Sequence, residues 1–177
     1  MNKIKMQVEQ LIASGTSKSQ VFAQLSGPDV KDRKLAYFIA SHVDPRLCER
    51  HATANWFVIG VVLIQALILL VLTAMMGAEI GPTAQWLVPA IALLLPLMMV
   101  WGFYKHNVGA YNVYIALSFI GLPQSLKAVA ATPLEGSIAL VITIACFALV
   151  WYVRAKLFPD FAFMGPKKVN GRYIFSD

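Results

Sequence analysis

Long apolar runs, each close to the length of a membrane-spanning helix, fill most of the chain after its first third. A hydrocarbon core about 30 Å thick is crossed by about 20 helical residues. Residues 56–76, 83–103 and 137–153 have this length and character, and in the first of them only Gln65 and Thr73 are polar. The pattern therefore predicts one membrane-spanning helix in each of these three runs.

A further apolar stretch, residues 110–130, has a weaker spanning character. Its most apolar part, residues 113–122, is only about half as long as a bilayer-crossing helix of about 20 residues. Residues 104–136 would nevertheless form a long and largely apolar connection if no span lay within them. We therefore predict four transmembrane helices, with the third covering residues 110–130.

Prolines recur at seven-residue steps in the second predicted span, at Pro82, Pro89 and Pro96. Proline lacks the N–H group that the helix ladder needs, so Pro89 and Pro96 leave the carbonyl groups four residues earlier without their usual donors. Seven residues are nearly two helical turns, which places both prolines on one face. That face is predicted to be either a permeation or ligand groove or the packing surface of a bent helix.

The segment from Pro123 to Lys127 combines a helix-breaking residue with polar side chains. Pro123 is expected to break the third helix, and Gln124 and Ser125 offer hydrogen bonds beside the break. Transporters build binding sites from broken helices that carry polar groups. Alternatively, Lys127 extends to the membrane interface and pairs with Glu135. The candidate residues for binding a ligand or a partner are therefore Pro89, Pro96, Pro123, Gln124, Ser125 and Lys127.

The polar residues 1–44 are predicted to form a small cytosolic head of three short helices. Ser17 and Gln20 have the spacing of a capping box at the start of the second helix. Asp29 can cap the third helix. Asp44–Pro45 has the sequence of a further helix start, and that helix is expected to run unbroken into the first span. These signals predict a helical head joined directly to the transmembrane domain, residues 45–158.

The tail, residues 159–177, contains a hairpin signal. Asn170–Gly171 stands between residues of strand character, and Asn-Gly is a strong signal for a two-residue turn. An isolated hairpin is marginal in water, so we expect it to dock on the head or on the membrane face. The predicted fold class is an all-α integral membrane protein with four transmembrane helices, an N-terminal cytosolic head and a short C-terminal tail.

Composition and charge agree with a membrane location. Of the 177 residues, 58% are hydrophobic and 14% are charged, and the mean hydropathy is +0.64. In the four-span arrangement, all but one of the 15 Lys and Arg residues fall on the side of the termini, and only Lys127 lies near the other side. Basic residues accumulate on the cytosolic side of membrane proteins. Both termini are thus predicted to be cytosolic, with the chain in a plasma membrane or bacterial inner membrane.

The chain carries few groups with catalytic or metal-binding chemistry. It contains no Gly-x-Ser-x-Gly, His-Glu-x-x-His or Gly-rich phosphate-loop motif, so we expect no enzymatic activity. His42, Cys48 and His51 are the only cluster of residue types that bind metals, and no fourth ligand accompanies them. We therefore predict neither a metal nor another cofactor.

The helices predicted near residues 17–25 and 30–42 have the spacing of a helix-turn-helix. Lys31, Arg33 and Lys34 at the front of the second helix would face phosphates in such a motif. Residues 1–44 hold six basic and four acidic side chains, and a net charge this small gives little of the electrostatic attraction on which DNA binding depends. Nucleic acid is therefore not an expected partner.

The scarcity of catalytic groups and of charges within the spans favours a protein that acts by binding. We expect an accessory subunit or a protective, immunity-type factor, in contact with the lipid bilayer and with a protein partner or a second copy of itself. One alternative is a small transport or channel subunit that uses the proline-containing second and third spans. Another is a membrane-anchored regulator whose head resembles a helix-turn-helix.

Overall fold

The computed structural model of the chain describes residues 2–27, 30–163 and 165–176, apart from the side chains of residues 2 and 3. These residues form two compact units. We call residues 1–49 with 155–177 the terminal unit, and residues 50–154 the four-helix unit. In chain order the elements are α1 (Asn2–Ala13), α2 (Lys18–Leu25), α3 (Asp32–Ala40), α4 (Pro45–Arg50), α5 (Ala52–Ile80), α6 (Ala84–Tyr104), α7 (Val108–Ala131), α8 (Pro133–Leu157), β1 (Lys168–Val169) and β2 (Arg172–Tyr173).

In the terminal unit, α1, α2 and α3 pack around a small apolar core. Val8 of α1, Val21 of α2 and Leu35 of α3 are almost completely buried. The Ser17 hydroxyl accepts a hydrogen bond from the Gln20 N–H at 3.3 Å, which confirms the predicted start of α2. The Ser17 cap therefore marks the start of α2, because it satisfies a backbone group that the helix leaves open.

The start of α4 is as predicted, but its continuation into α5 is not. The Asp44 carboxylate accepts a hydrogen bond from the Arg46 N–H at 2.8 Å, so Asp44 caps the helix that begins at Pro45. The expected unbroken helix is wrong, because His51 has φ −111° and ψ 14° and separates α4 from α5. Histidine is a modest helix former, and one residue outside helical dihedrals interrupts the ladder. Asp29, predicted to cap α3, lies outside the described residues.

The tail forms the predicted hairpin and docks on the head. Asn170 and Gly171 both have positive φ, 50° and 80°, as a two-residue hairpin turn of type I′ requires. The Phe22 ring of α2 lies 5.6 Å from that of Tyr173, between ring centroids. The Lys18 ammonium of the same helix lies 2.6 Å from Asp160. An aromatic contact and an ion pair therefore hold the tail against the head.

Asp160 is the polar anchor of the tail. It is 2% exposed, and its second carboxylate oxygen accepts hydrogen bonds from the backbone N–H and the hydroxyl of Ser176, each at 2.6 Å. A buried carboxylate is costly unless it is paired and hydrogen-bonded. Lys18 and Ser176 together meet that requirement.

The four-helix unit is built from helices that are long and apolar enough to cross a membrane. The predicted spans 56–76, 110–130 and 137–153 lie within α5, α7 and α8, and the span 83–103 lies within α6 except for its first residue, Thr83, which precedes the helix. In an apolar stretch of 18 residues the mean hydropathy is 1.4 in α7, against 2.0 to 2.8 in the other three helices. The third span is therefore the least apolar, as the sequence indicated.

Prolines lie inside α6 and α7 without ending either helix. Pro89 and Pro96 lie within α6, and Pro123 lies within α7, which continues to Ala131. The prediction that Pro123 breaks the third helix is therefore wrong. A proline removes one ladder hydrogen bond, but the bonds on either side of it persist, and proline is tolerated in helices with membrane character.

Glycine allows backbone contact at the ends of two helix pairs. A Cβ atom on Gly77 of α5 would lie 2.5 Å from the Ala84 carbonyl oxygen of α6. A Cβ atom on Gly136 of α8 would lie 2.5 Å from the Ala128 carbonyl oxygen of α7. Small residues let helices approach closely where no hydrophobic force drives them together. These glycines therefore fix the turns α5–α6 and α7–α8.

Candidate binding cavity in the four-helix unit

A cavity of about 490 Å³ lies among the four helices of the four-helix unit. This volume is within the range of roughly 300–1,000 Å³ that is usual for small-molecule sites. All four helices contribute to its wall. The lining residues are Val62, Gln65 and Leu69 from α5, Leu95, Pro96 and Met99 from α6, Tyr114, Leu117, Ser118, Gly121, Gln124 and Ser125 from α7, and Thr143 from α8.

Helix α7 supplies most of the polar wall. Tyr114, Ser118, Gly121 and Ser125 follow one another at steps of four, three and four residues, which places them on one helical face. All four residues line the cavity. We did not identify this stripe as a site from the sequence, although its spacing is visible there. The prolines and Lys127 are chemically more unusual in a membrane-spanning helix than serine or tyrosine, so the sequence analysis selected positions around them.

A hydrogen bond links α7 to α5 across the cavity wall. The Tyr114 hydroxyl donates to the Gln65 Oε1 atom at 3.1 Å. An amide side chain has two N–H donors in addition to its oxygen. Because the oxygen of Gln65 accepts this bond, the N–H groups of its amide remain as the donors of a side chain that lines the cavity.

The remaining hydroxyls of the wall already donate to their own helices. The side chains of Ser118, Ser125 and Thr143 donate to the carbonyl oxygen four residues earlier, at 2.9, 3.3 and 2.9 Å. A hydroxyl that donates one hydrogen bond keeps its lone pairs as acceptors. The cavity therefore offers amide donors from Gln65 and hydroxyl acceptors from α7 and α8.

Among the described residues, no Asp, Glu, Lys, Arg or His side chain lines the cavity. A charged molecule would lose its hydration there without gaining an ion pair, and that loss is expensive. Apolar side chains from α5, α6 and α7 make up the rest of the wall. This chemistry suits a neutral molecule with an apolar body and a hydroxyl or amide group.

The structure brings together at the cavity three of the six candidate residues from the sequence, namely Pro96, Gln124 and Ser125. Pro123 and Lys127 are exposed on α7 and are not part of the lining, and Pro89 is buried in α6 outside it. The predicted polar segment, Pro123 to Lys127, therefore lies only partly at the cavity. Its amide and hydroxyl groups reach the cavity, whereas its lysine does not.

A buried polar network connects the start of α5 with the neighbouring helix ends. Asn55 is 3% exposed. Its Oδ1 atom accepts a hydrogen bond from the Tyr111 hydroxyl at 2.5 Å, and its Nδ2 atom donates to the Phe103 carbonyl at 3.2 Å. The Nε2 atom of His106 lies 3.5 Å from the same Nδ2 atom, and burial lowers the pKa of His106. Because its groups are engaged with one another, we assign this network a structural role.

Two titratable groups of the terminal unit, Cys48 and His42, also have shifted pKa values. Burial raises the pKa of the Cys48 thiol, and Asp44 and Glu49 raise it further, so the thiol stays protonated at neutral pH. Burial lowers the pKa of His42, and the charge of Lys18 lowers it further. In the described part of the chain, no three His, Cys, Asp or Glu side chains are grouped as metal ligands would be.

Comparison of the sequence with known protein families and curated proteins, and of the structure with solved structures, found no match.

Proposed function

We propose that this protein is a multi-pass integral membrane protein of the cell membrane that acts by binding and not by catalysis. The membrane part is supported by four helices that are long and apolar enough to cross a bilayer. It is also supported by large apolar side chains on their surfaces, since Trp86, Met98, Ile120 and Leu134 are each more than 70% exposed. Burying one such side chain is worth about 1.5–3 kcal/mol, so lipid would stabilise this surface strongly.

The proposed orientation places both termini in the cytosol. The support for it is the distribution of basic residues along the chain. Lys105 lies in the connection between α6 and α7, whereas Glu79 and Glu135 lie near the turns α5–α6 and α7–α8. The positive-inside tendency of membrane proteins supports this arrangement.

The cavity is the observation that carries the binding proposal. Its neutral hydrogen-bonding groups converge from three helices within an otherwise apolar wall, which is the usual pattern of a small-molecule site. The proposed ligand is a neutral amphipathic molecule with a hydroxyl or amide head. An accessory subunit or a protective factor could use such a site to recognise a lipid-like compound, alone or with a protein partner or a second copy.

A pair of matched threonine substitutions tests the cavity. Thr143 lines it, whereas Thr73 of α5 does not, and both hydroxyls donate to the carbonyl four residues earlier in their own helix. Thr143→Val should weaken photolabelling by a photoreactive monoacylglycerol, because the cavity loses an acceptor. Thr73→Val should leave the labelling unchanged.

Two labelling results would contradict the proposal. Equal labelling of both variants and the wild type would reject the cavity as the binding site. Stronger labelling by an anionic phosphatidylglycerol probe than by monoacylglycerol would reject the neutral ligand class. Both variants should first be shown to be equally abundant in the membrane.

The alternative of a transport or channel subunit was based on expected helix breaks at the prolines of the second and third spans. That argument required breaks in the second and third spans, and Pro96 and Pro123 lie inside continuous helices. Solute flux in liposomes that is abolished by Thr143→Val and retained in Thr73→Val would restore the alternative. We therefore prefer a binding protein without a transport cycle.

A further inference from the structure

The terminal unit contains a basic cleft that is separate from the cavity of the four-helix unit. The cleft has a volume of about 350 Å³. One wall comes from the start of α3 and its first turns, with Lys31, Arg33, Lys34 and Tyr37, and the other comes from Gly165–Pro166 of the tail. Three cationic side chains thus line one small concave surface.

The charge of this cleft is not balanced by acidic groups of the described chain. The ion pairs formed by the described residues involve Lys5 and Lys18, so the three cleft cations are not paired there. Asp32, which lies between them in the sequence, accepts a hydrogen bond from the Ser26 hydroxyl at 2.9 Å. Asp32 keeps its negative charge, but three cations against this one carboxylate leave residues 31–34 with a net charge of +2, so the cleft is positively charged.

Both walls of the cleft are held in place by contacts within the terminal unit. The Tyr37 ring packs edge-on against Phe161, with 5.4 Å between ring centroids. Phe161 and Pro166 pair in an antiparallel bridge, and the Lys167 N–H donates to the Asp160 carbonyl at 2.8 Å. The tail is thus anchored beside α3, which keeps the cations and the tyrosine around a shared space.

We propose that this cleft binds the phosphate-bearing headgroup of an anionic membrane lipid. Lys and Arg form charge-assisted hydrogen bonds with phosphate oxygens, and Arg can do so through two parallel bonds. Tyr37 can donate a further hydrogen bond from its hydroxyl.

Chain connectivity favours a lipid as the source of the phosphate. Gly165 follows Leu157, the last residue of α8, by eight residues, so it lies no more than about 30 Å from that helix end. The inference rests on the proposed membrane insertion of α8, but not on the proposed cavity ligand.

The cleft geometry favours a lipid phosphate over the DNA phosphates that a helix-turn-helix would contact. A recognition helix must enter a major groove about 12 Å wide, with its exposed face free of other chain segments. In this protein, Tyr37 on the exposed face of α3 packs against Phe161, and Pro166 forms the opposite wall of the cleft. The tail therefore restricts the access of a duplex, while a headgroup needs only the cleft.

The test measures binding of soluble probes to the full-length protein in neutral detergent micelles. The probes are dioctanoyl phosphatidylglycerol, dioctanoyl phosphatidylcholine, inorganic phosphate and a short DNA duplex. The cleft variant combines Lys31→Gln, Arg33→Gln and Lys34→Gln. The matched control removes the same number of charges from the exposed surface outside the cleft, with Lys5→Gln, Arg46→Gln and Arg172→Gln. All six side chains are exposed, so neither variant disturbs the core.

We expect phosphatidylglycerol to bind the wild-type protein and the control equally, and to bind the cleft variant at least about tenfold more weakly, since charged hydrogen bonds to phosphate are strong. An equal loss in the control would overturn the proposal, because the attraction would then be a general effect of net charge. Inorganic phosphate bound as tightly as phosphatidylglycerol would also overturn it and assign a soluble ligand. Tight duplex binding that the cleft variant loses would overturn it in favour of DNA.

Discussion

The hydrogen bond between Asn55 and Tyr111 provides the sharpest test of what holds the four-helix unit together. Both side chains are buried, and the bond joins the start of α5 to the start of α7 with 2.5 Å between the oxygens. Asn55→Ala removes the acceptor of the Tyr111 hydroxyl and the donor to the Phe103 carbonyl. The backbone N–H of His106 also bonds this carbonyl, at 3.1 Å, so the carbonyl keeps one donor.

The expected magnitude follows from these partners. Tyr111→Phe removes one hydrogen bond and should lower the free energy of unfolding by about 0.5–1.5 kcal/mol. Asn55→Ala removes two hydrogen bonds and leaves a small void, so we expect a loss of about 2–4 kcal/mol. The double variant should be less destabilised than the sum of the two, by about 1 kcal/mol, because the shared bond is counted in both single variants.

The assay is reversible unfolding in mixed detergent micelles, followed by tryptophan fluorescence. Tyr104→Phe serves as the control, because Tyr104 is 52% exposed and the same substitution there should change stability by less than about 0.5 kcal/mol. Exact additivity of Asn55→Ala and Tyr111→Phe would refute the reasoning, since it would show that the two side chains do not stabilise the fold through each other.

Three further predictions concern other parts of the molecule. Gly136→Ala should destabilise the four-helix unit by about 1–3 kcal/mol, because the new methyl group overlaps the backbone of α7. Gly60→Ala is the control, since its methyl group would meet no atom within 4 Å, and thermal unfolding of the two variants should show a loss of stability only for Gly136→Ala. In a background without the native cysteines, Glu79→Cys should react with an impermeant thiol reagent in whole cells, and Lys168→Cys only after permeabilisation; the reverse pattern would contradict the proposed orientation. Burial and a neighbouring cation keep the pKa of His42 below its ordinary value of 6.5, so below that pH the unfolded chain binds a proton that the folded chain excludes, and stability falls. His42→Gln should reduce this loss of unfolding temperature between about pH 7 and pH 5, and an unchanged pH profile would show that His42 does not cause it.

The parts of the fold that the sequence predicted correctly are those fixed by local chemistry. The Ser17 cap, the Asp44 cap and the Asn170–Gly171 turn each satisfy a requirement of a few neighbouring backbone groups. The long apolar helices are similarly local, since length and hydropathy alone define them. Such features need no knowledge of what the segment packs against.

The predictions that failed concern whether a helix continues past a single residue. Pro123 was expected to break α7, and the helix continues; no interruption was expected at His51, and it separates α4 from α5. Helix propensity is a weak prior that the surroundings override. A weak local preference therefore does not decide whether a helix continues past one residue.

The candidate site was partly predictable because the sequence shows which polar residues lie in apolar helices, but not which of them face one another. Gln124 and Ser125 were selected beside Pro123, and the structure places them at the cavity with Gln65 of α5, about 60 residues earlier in the chain. Only the packing of α5 against α7 reveals that pairing. Once α7 is continuous, Gln124 and Ser125 no longer mark a helix end. Together with Tyr114 and Ser118 they form the face of α7 that lines the neutral cavity, whereas Lys127 lies outside that face. The uncharged character of that face is why a neutral ligand, and not an ion, is the hypothesis to test first.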